Sequence, residues 1–206
     1  GNMFGIKEFY NYVKKKNHKF HHEIAQLEKS LLSDDLTAKE KIQERIIELK
    51  KQLFKPILGC EAYVARRSRL SKDKDFVADR SGYHLVLLAK NKTGYHNLCK
   101  LVSLGWMEGF YYRPRIDHEI LEQYSEGLIA SSACLGGEIH KKVESGDIEE
   151  AEKAVLWYKQ VFGDDFYLEL RLHQTAKPNA DYTVYEKQLR QNDILIELAR
   201  KKPKLE

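Results

Sequence analysis

Short apolar segments alternate with longer helical segments along residues 56–201, and this alternation restricts the fold more than any other feature. The apolar segments cover residues 56–64, 83–89, 127–132 and 166–172, and the helical ones cover residues 93–107, 147–162 and 181–201. Segments of this kind predict a parallel sheet covered by helices. Because strand–helix–strand crossovers are right-handed, the sheet is either a barrel or an open doubly wound sheet.

The glycine pattern favours the barrel. An open nucleotide-binding sheet would carry a G-x-G-x-x-G or G-x-x-x-x-G-K-[ST] turn after a strand, and neither motif occurs in the sequence. A closed barrel needs about eight strands, whereas the strand segments number only four. The sequence therefore predicts an α/β chain that forms part of a barrel, with parallel strands inside and helices outside.

Residues 1–55 follow a different pattern, with apolar residues at helical spacing in highly charged sequence. A first helix is predicted over residues 4–15, ending at Lys14-Lys15-Lys16. Two heptad-like stripes follow, formed by Phe20, Ile24, Leu27 and Leu31 and then by Ile42, Ile46, Leu49 and Leu53. These stripes predict an antiparallel helical hairpin over residues 17–52.

Composition narrows the class of protein. With 42% hydrophobic residues, the 206-residue chain has material for a sizeable core, which excludes wholesale disorder. The net charge of +4, from 35 basic and 31 acidic residues, is too even to indicate nucleic-acid binding by itself. Cys60, Cys99 and Cys134 form neither a disulfide framework nor a CxxC zinc site, so we expect a reducing, cytoplasmic environment. No apolar run reaches about 18 residues, so we expect no membrane span.

Three side chains near strand ends are candidates for chemistry. Glu61 follows an apolar segment, where a carboxylate is avoided unless it faces a site or water. Cys134 follows the third strand, where a thiolate suits zinc and a small buried hydrophobe is the alternative. His84 opens its strand instead of closing it, which by itself favours a core or rim histidine.

Glu169 and His173 are predicted to share one face of the last strand with Arg171, because side chains alternate along a strand. On that face they would line the end of the barrel. A strand end in contact with water explains them equally well, so both interpretations stay open.

Aromatic and arginine residues are interleaved over residues 110–115. Such a patch can hold single-stranded DNA by stacking and phosphate contact, and the contacts would come from Tyr111, Tyr112, Arg113 and Arg115. The favoured interpretation is a packed loop that covers one end of the barrel.

Four long motifs carry a family resemblance. They are KPILGCEAYV at residues 55–64, YHLVLLAKN at 83–91, GYHNL at 94–98 and EGLIASSACLGG at 126–137. In this order they resemble the PHP (polymerase and histidinol phosphatase) domain of the bacterial DNA polymerase III alpha subunit. The resemblance covers residues 1–16 and about 53–200, and it implies a distorted barrel of about seven parallel strands. We expect a partial PHP domain over residues 1–206, with the hairpin at 17–52 as an insertion.

The resemblance also implies a metal site. Carried over to this sequence, Glu61, His84 and Cys134 occupy ligand positions in a site of about nine ligands, which binds up to about three zinc or manganese ions. The family's opening H-x-H strand and its late Asp-x-His strand are absent here. We therefore expect a fragment truncated at both ends, with its metal site incomplete or empty and with no catalytic residue of its own.

The function implied by the resemblance is that of a replicative DNA-directed DNA polymerase, a nucleotidyltransferase of DNA replication. In complete relatives the PHP domain is a metal-dependent 3′-5′ proofreading exonuclease, and in others it is structural, as we expect for this fragment. The implied partners are DNA, a proofreading exonuclease subunit, the sliding clamp and other replisome subunits. No membrane partner is implied.

Two other functions stay open. One is a non-enzymatic module that docks replisome partners through the hairpin, and the other is a free-standing PHP metallophosphoesterase. For the truncated fragment, a parallel sheet cut from a barrel exposes two unpaired edges and an apolar inner face, which predicts oligomerisation through those edges, strand exchange or poor solubility.

Overall fold

The computed structural model of the chain describes residues 2–31, 36–174, 176–177 and 181–201. The chain divides into two units, one spanning Phe4–Ile57 and the other combining Gly1–Met3 with Leu58–Glu206. Both predicted hairpin stripes lie in the first unit, and all four predicted strands lie in the second.

Two helices form the first unit. Helix α1 spans Ile6–Ser30 and helix α2 spans Leu36–Lys51. Because α1 runs unbroken through Lys14-Lys15-Lys16, the helix end predicted at these lysines is wrong. Lysine is a good helix former, and the apolar stripe continues beyond the lysine run without a breaker.

The helices α1 and α2 pack through the predicted stripes, with Ile24, Ile46 and Leu49 buried between them. The Asn17 side chain donates to the backbone oxygen of Phe54 at 2.7 Å and accepts from its N–H at 3.0 Å. Further along α1, Glu23 pairs with Arg45 at 2.9 Å. Since later residues of α1 meet earlier residues of α2, the helices run in opposite directions.

The second unit is built on a six-stranded sheet with the order β3-β4-β1-β2-β5-β6. Its strands are β1 (Gly59–Val64), β2 (Tyr83–Ala89), β3 (Phe110–Tyr111), β4 (Arg113–Ile116), β5 (Leu128–Ser131) and β6 (Phe166–Tyr167). Strand β4 is parallel to β1, and β6 is parallel to β5. Strand β2, however, is antiparallel to both of its neighbours, β1 and β5.

The predicted all-parallel sheet is therefore wrong. The connection from β1 to β2, residues 65–82, holds a 3-10 turn at Val77–Arg80 instead of a crossover helix, so β2 returns antiparallel. Within the described residues the six strands form a mixed α/β sheet rather than a closed barrel.

The last predicted strand is also shorter than expected. Strand β6 ends at Tyr167, where the following backbone takes another partner: the Glu169 N–H donates to the Ser132 hydroxyl at 2.9 Å. Leu170 and Leu172 are about half exposed, so they do not form a buried face of a continued strand.

Among the residues that the structure describes, five helices accompany the sheet: α3 (Lys92–Met107), α4 (His118–Gln123), α5 (Glu138–Glu144), α6 (Ile148–Phe162) and α7 (Thr183–Arg200). The side chains of Asn91, Asp117 and Asp147 accept from the first turns of α3, α4 and α6, which satisfies N–H groups that have no partner within the helix. In the described part of the chain, no helix combines the length and low charge needed to cross a lipid bilayer.

The two faces of the sheet differ. The buried face belongs to the main core, and its strand residues are Cys60, Ala62, Val64, Leu85, Leu87, Leu128 and Ala130. The other face, which we call the open face, carries Glu61, Tyr63, His84, Val86 and Ser131, all at least partly exposed. Because side chains alternate along a strand, burial of the first set directs the second set to the open face.

Arg115 on β4 is fully buried and organises the connection between β1 and β2. Its guanidinium donates to the carbonyl oxygens of Gly109, Asp79, Arg69 and Ser71 at 2.7–3.0 Å. Asp79 and Gly109 are buried residues, and Arg69 and Ser71 are partly buried. Removing the guanidinium would therefore take a hydrogen-bond donor away from carbonyl groups that have little access to water.

We therefore expect Arg115→Gln to lower the free energy of unfolding by about 3–5 kcal/mol, because it leaves buried carbonyl groups unpaired. Urea denaturation followed by circular dichroism measures the change. Arg80→Gln, at an exposed arginine, is the matched control and should cost under about 0.5 kcal/mol. Equal effects of the two substitutions would contradict this role.

A buried carboxylate joins helices α4, α5 and α6. Glu138 Oε2 lies 3.1 Å from both His118 Nε2 and the Tyr158 hydroxyl, and Glu138 Oε1 lies 2.9 Å from Lys142 Nζ. Burial by itself would raise the pKa of Glu138, but the hydrogen bonds and charges of His118 and Lys142 outweigh burial and lower this pKa to about 2.

Because the pKa of Glu138 is lower in the folded chain than its ordinary 4.5, its stabilisation is complete above pH 4.5 and is lost as the pH falls toward 2. This shift corresponds to about 3 kcal/mol. We expect the unfolding free energy of Glu138→Gln to depend less on pH between 5 and 2 than that of the wild type, as measured by urea titrations. Glu149→Gln, at an exposed carboxylate, should keep the wild-type slope, and an unchanged slope in Glu138→Gln would refute the assignment.

Candidate metal centre

The pairing of β1 with β2 brings Glu61 and His84 together on the open face. In its register Tyr63 lies opposite His84, and Glu61 lies opposite Val86. Residues that lie opposite or diagonal on one face are neighbours, and Glu61 Oε1 is 2.6 Å from His84 Nδ1.

The direction of β2 explains the position of His84. In a parallel sheet, the first residue of a strand lies far from the edge where the neighbouring strands end. Because β2 is antiparallel, its second residue, His84, lies instead at the edge where β1 and β5 end. The expectation of a core or rim histidine, drawn from strand position alone, depended on the wrong strand direction.

The turn after β5 brings Cys134 to the same edge. Ala133 has a φ of 61°, in the left-handed region, and reverses the chain directly before Cys134. The His84 N–H donates to the Gly136 oxygen at 2.9 Å, which fastens the turn to the start of β2. Cys134 Sγ then lies 3.5 Å from His84 Nδ1 and accepts from the Gly136 N–H at 3.4 Å.

Close approach requires a glycine at one position of this turn. A Cβ atom at Gly137 would lie 2.1 Å from the Ser132 backbone oxygen, so a side chain there would distort the turn that places Cys134. A Cβ atom at Gly136 would lie 3.1 Å from the His84 ring, which a small shift of that ring would relieve.

Among the described residues, Glu61, His84 and Cys134 form the set of three metal-capable groups whose ligand atoms all lie within 4.8 Å of one another. A carboxylate oxygen, an imidazole nitrogen and a sulfur together suit an ion of intermediate softness such as Zn²⁺. A sulfur and a nitrogen bound to one tetrahedral zinc ion are about 3.5 Å apart, as Cys134 and His84 are. The Glu61 carboxylate, with its side chain 54% exposed, has room for the shift of roughly 1 Å that a shared ion would require.

Glu169 and His173 lie with other partners. The Glu169 carboxylate accepts from the Ser131 hydroxyl and pairs with Arg171, whose Nε lies 2.6 Å from Glu169 Oε1. The backbone N–H and the Nδ1 of His173 both bond the side chain of Gln188 on α7. Neither residue belongs to the three-residue cluster, because the strand that was to align them ends at Tyr167.

The four residues predicted to contact nucleic acid lie in different environments. Arg115 is fully buried, so its assignment to a surface patch is wrong: its guanidinium donates to backbone carbonyl oxygens inside the fold. Tyr112 turns the chain between β3 and β4 with a φ of 59°, and its ring packs edge-on against Tyr111. Arg113 remains exposed beside Tyr63.

The sequence analysis did not identify Tyr63 as a residue of the site. Its ring packs edge-on against the His84 ring, with centroids 5.2 Å apart. The signal was present, because Tyr63 lies two residues after Glu61 and strand period places both on one face.

Known proteins resemble this chain over much of its length. The sequence profile of the PHP domain matches residues 1–173. The chain is 55% identical over 126 residues to the DNA polymerase III subunit alpha of Borreliella burgdorferi, covering 61% of this chain and 11% of that protein. The subunits of Chlamydia trachomatis and Deinococcus radiodurans are 40% and 43% identical, over 74% and 58% of this chain and 13% and 9% of theirs.

The chain thus spans roughly a tenth of the length of these relatives. The match to the PHP profile extends over most of the 206 residues and includes Glu61, His84 and Cys134. The resemblance predicted from the four motifs is confirmed, and the chain belongs to the PHP domain family.

Proposed function

We propose that this chain is a metal-binding segment of the PHP domain of a replicative DNA polymerase alpha subunit. The observation that carries the proposal is the convergence of Glu61, His84 and Cys134 from three separate segments onto one edge of the sheet. The similarity to subunits named DNA polymerase III subunit alpha supports the proposed identity of the parent protein. Since the matches cover only 9–13% of those subunits, we assign nucleotide polymerisation to other parts of the parent.

Each of the three side chains has a defined part in holding the ion. Cys134 supplies a thiolate, His84 supplies Nδ1, and Glu61 supplies a carboxylate that now accepts a hydrogen bond from the imidazole. A bound divalent ion would polarise a phosphoryl oxygen and acidify its water. The thiolate favours zinc over manganese, which prefers oxygen ligands.

The segment Phe4–Ile57 forms a unit of its own, which supports the proposal that residues 17–52 are an insertion in the PHP domain. Through the parent polymerase we propose DNA as substrate, and as partners the sliding clamp, a proofreading exonuclease and other replisome subunits.

We expect the 206-residue chain to bind one Zn²⁺ ion, measured by competition with a chromogenic chelator. Glu61→Gln, His84→Gln and Cys134→Ser should each weaken zinc binding by at least about tenfold, because each removes one donor from a small set. Zinc should also slow alkylation of Cys134.

The chain provides a matched control for each substitution. Glu126→Gln, His96→Gln and Cys99→Ser alter the same residue types outside the cluster and should leave zinc affinity unchanged. Cys99 is the internal control for alkylation, and Cys60 should react slowly, since burial raises the pKa of its thiol. Zinc affinity that is insensitive to all three cluster substitutions would disprove the site.

A further expectation concerns activity. Three protein donors hold one ion, whereas in-line hydrolysis of a phosphodiester commonly uses two ions about 4 Å apart. We therefore expect no release of nucleotides from single-stranded DNA by this chain with zinc or manganese. Manganese-dependent release that persists in Glu61→Gln would contradict both the site and its proposed incompleteness.

A further inference from the structure

An open cleft of about 390 Å³ lies beside the three-residue cluster. It is lined by Asn2, Cys60, Glu61, Tyr63, Trp106, Arg113 and Pro114. Glu61 belongs to both the cleft and the cluster, and Tyr63 packs against His84. The cleft therefore borders the candidate metal centre at Glu61, and its size falls within the range of small-ligand sites, about 300–1,000 Å³.

One wall of the cleft is aromatic. The Trp106 ring stacks on the Phe110 ring, with centroids 5.5 Å apart and planes 19° from parallel. Trp106 is 45% exposed and Phe110 is 46% exposed, so the stacked pair presents a large apolar surface to solvent. A nucleobase stacks on such a surface whatever its identity, because every base has a π-face.

The cleft also contains a positioned cation. The Arg113 guanidinium lies 5.1 Å from the Tyr63 ring centroid, and its Nη1 donates to the Tyr63 hydroxyl at 3.0 Å. A guanidinium has five N–H donors in a planar fork that matches phosphate geometry. Stacking on Tyr63 holds this fork at the cleft, where it can meet an anion.

From these contacts we propose that the cleft is a nucleotide subsite for single-stranded DNA. One base stacks on Trp106, and the adjoining phosphate lies between Arg113 and the edge that carries Glu61, His84 and Cys134. This inference rests on the proposed function, since it takes the metal centre as the destination of the phosphate. Of the four residues predicted as nucleic-acid contacts, it retains Arg113 and replaces the two tyrosines with Tyr63 and Trp106.

The test uses the full 206-residue chain loaded with zinc and a fluorescein-labelled oligothymidylate, with binding measured by anisotropy. Trp106→Ala should weaken binding about tenfold through the loss of stacking, and Trp106→Phe should restore most of it. Arg113→Gln should weaken binding and reduce the slope of log affinity against log salt by about 0.7, the value for one phosphate contact to a single strand.

Matched controls are available on the same sheet unit. Phe76→Ala removes an exposed ring on which the Arg67 guanidinium stacks. Arg80→Gln removes an exposed arginine. Neither Phe76 nor Arg80 lines the cleft. Both controls should bind the oligonucleotide as the wild type does. Circular dichroism melting confirms that each variant is folded.

The outcomes separate this inference from the proposed function. Wild-type affinity and salt slope in both Trp106→Ala and Arg113→Gln, no binding by the wild-type chain, or equal losses in the controls would each overturn the nucleotide subsite. Zinc affinity measured on the same samples tests the metal centre independently, because neither Trp106 nor Arg113 supplies a metal ligand. Zinc binding with an unchanged oligonucleotide affinity therefore rejects the subsite alone.

Discussion

The antiparallel ladder between β1 and β2 is the interaction on which the candidate site depends. Its register places Tyr63 opposite His84, and so puts Glu61 diagonal to His84 on the same face. A shift of one residue would send one of the two side chains to the opposite face. The register is held from behind, because the alternate residues of both strands, Ala62 and Leu85 among them, are buried in the main core. Apolar packing on one face thus positions the polar groups on the other.

The third group of the cluster depends on a turn rather than on a ladder. Cys134 is placed by the left-handed Ala133, by the bond from His84 N–H to Gly136 and by the absence of a side chain at Gly137. Three short segments, far apart in the chain, therefore meet through main-chain hydrogen bonds. Such bonds hold side-chain donors in place more firmly than flexible side-chain contacts do, which suits a site that must present its ligands together.

Much of the local structure was predictable. Strand β2 has the predicted bounds, and helices α3, α6 and α7 end within two residues of their predicted limits, because the periodicity of apolar residues and the cap at Asp147 are local signals. Strand direction was not predictable in this way. A connection without a crossover helix lets the next strand run parallel or antiparallel. No pattern in residues 65–82 indicates that their carbonyl groups will accept hydrogen bonds from the buried Arg115.

The two arginines of residues 110–115 also show which features the sequence predicts and which depend on the tertiary structure. Sequence places Arg113 and Arg115 two residues apart in an aromatic setting, and gives no reason to separate them. In the fold, one becomes a buried anchor for the backbone and the other stays exposed on Tyr63. Which arginine is buried depends on the chain that covers it, and that chain comes from the connection between β1 and β2.

The sequence by itself determined strand β2, helices α3, α6 and α7 and the family, because these follow from local periodicity and from motifs in a set order. The family resemblance then pointed to the three metal-capable residues. Tertiary structure alone decided the direction of β2, the meeting of Glu61, His84 and Cys134 at one edge, and the cleft beside them. The physical reason is that strand pairing and burial depend on contacts between segments that are distant in the sequence. Each segment carries its own apolar pattern, but its pairing partner is selected only when the core packs. That partner decides on which face and at which edge of the sheet the side chains lie.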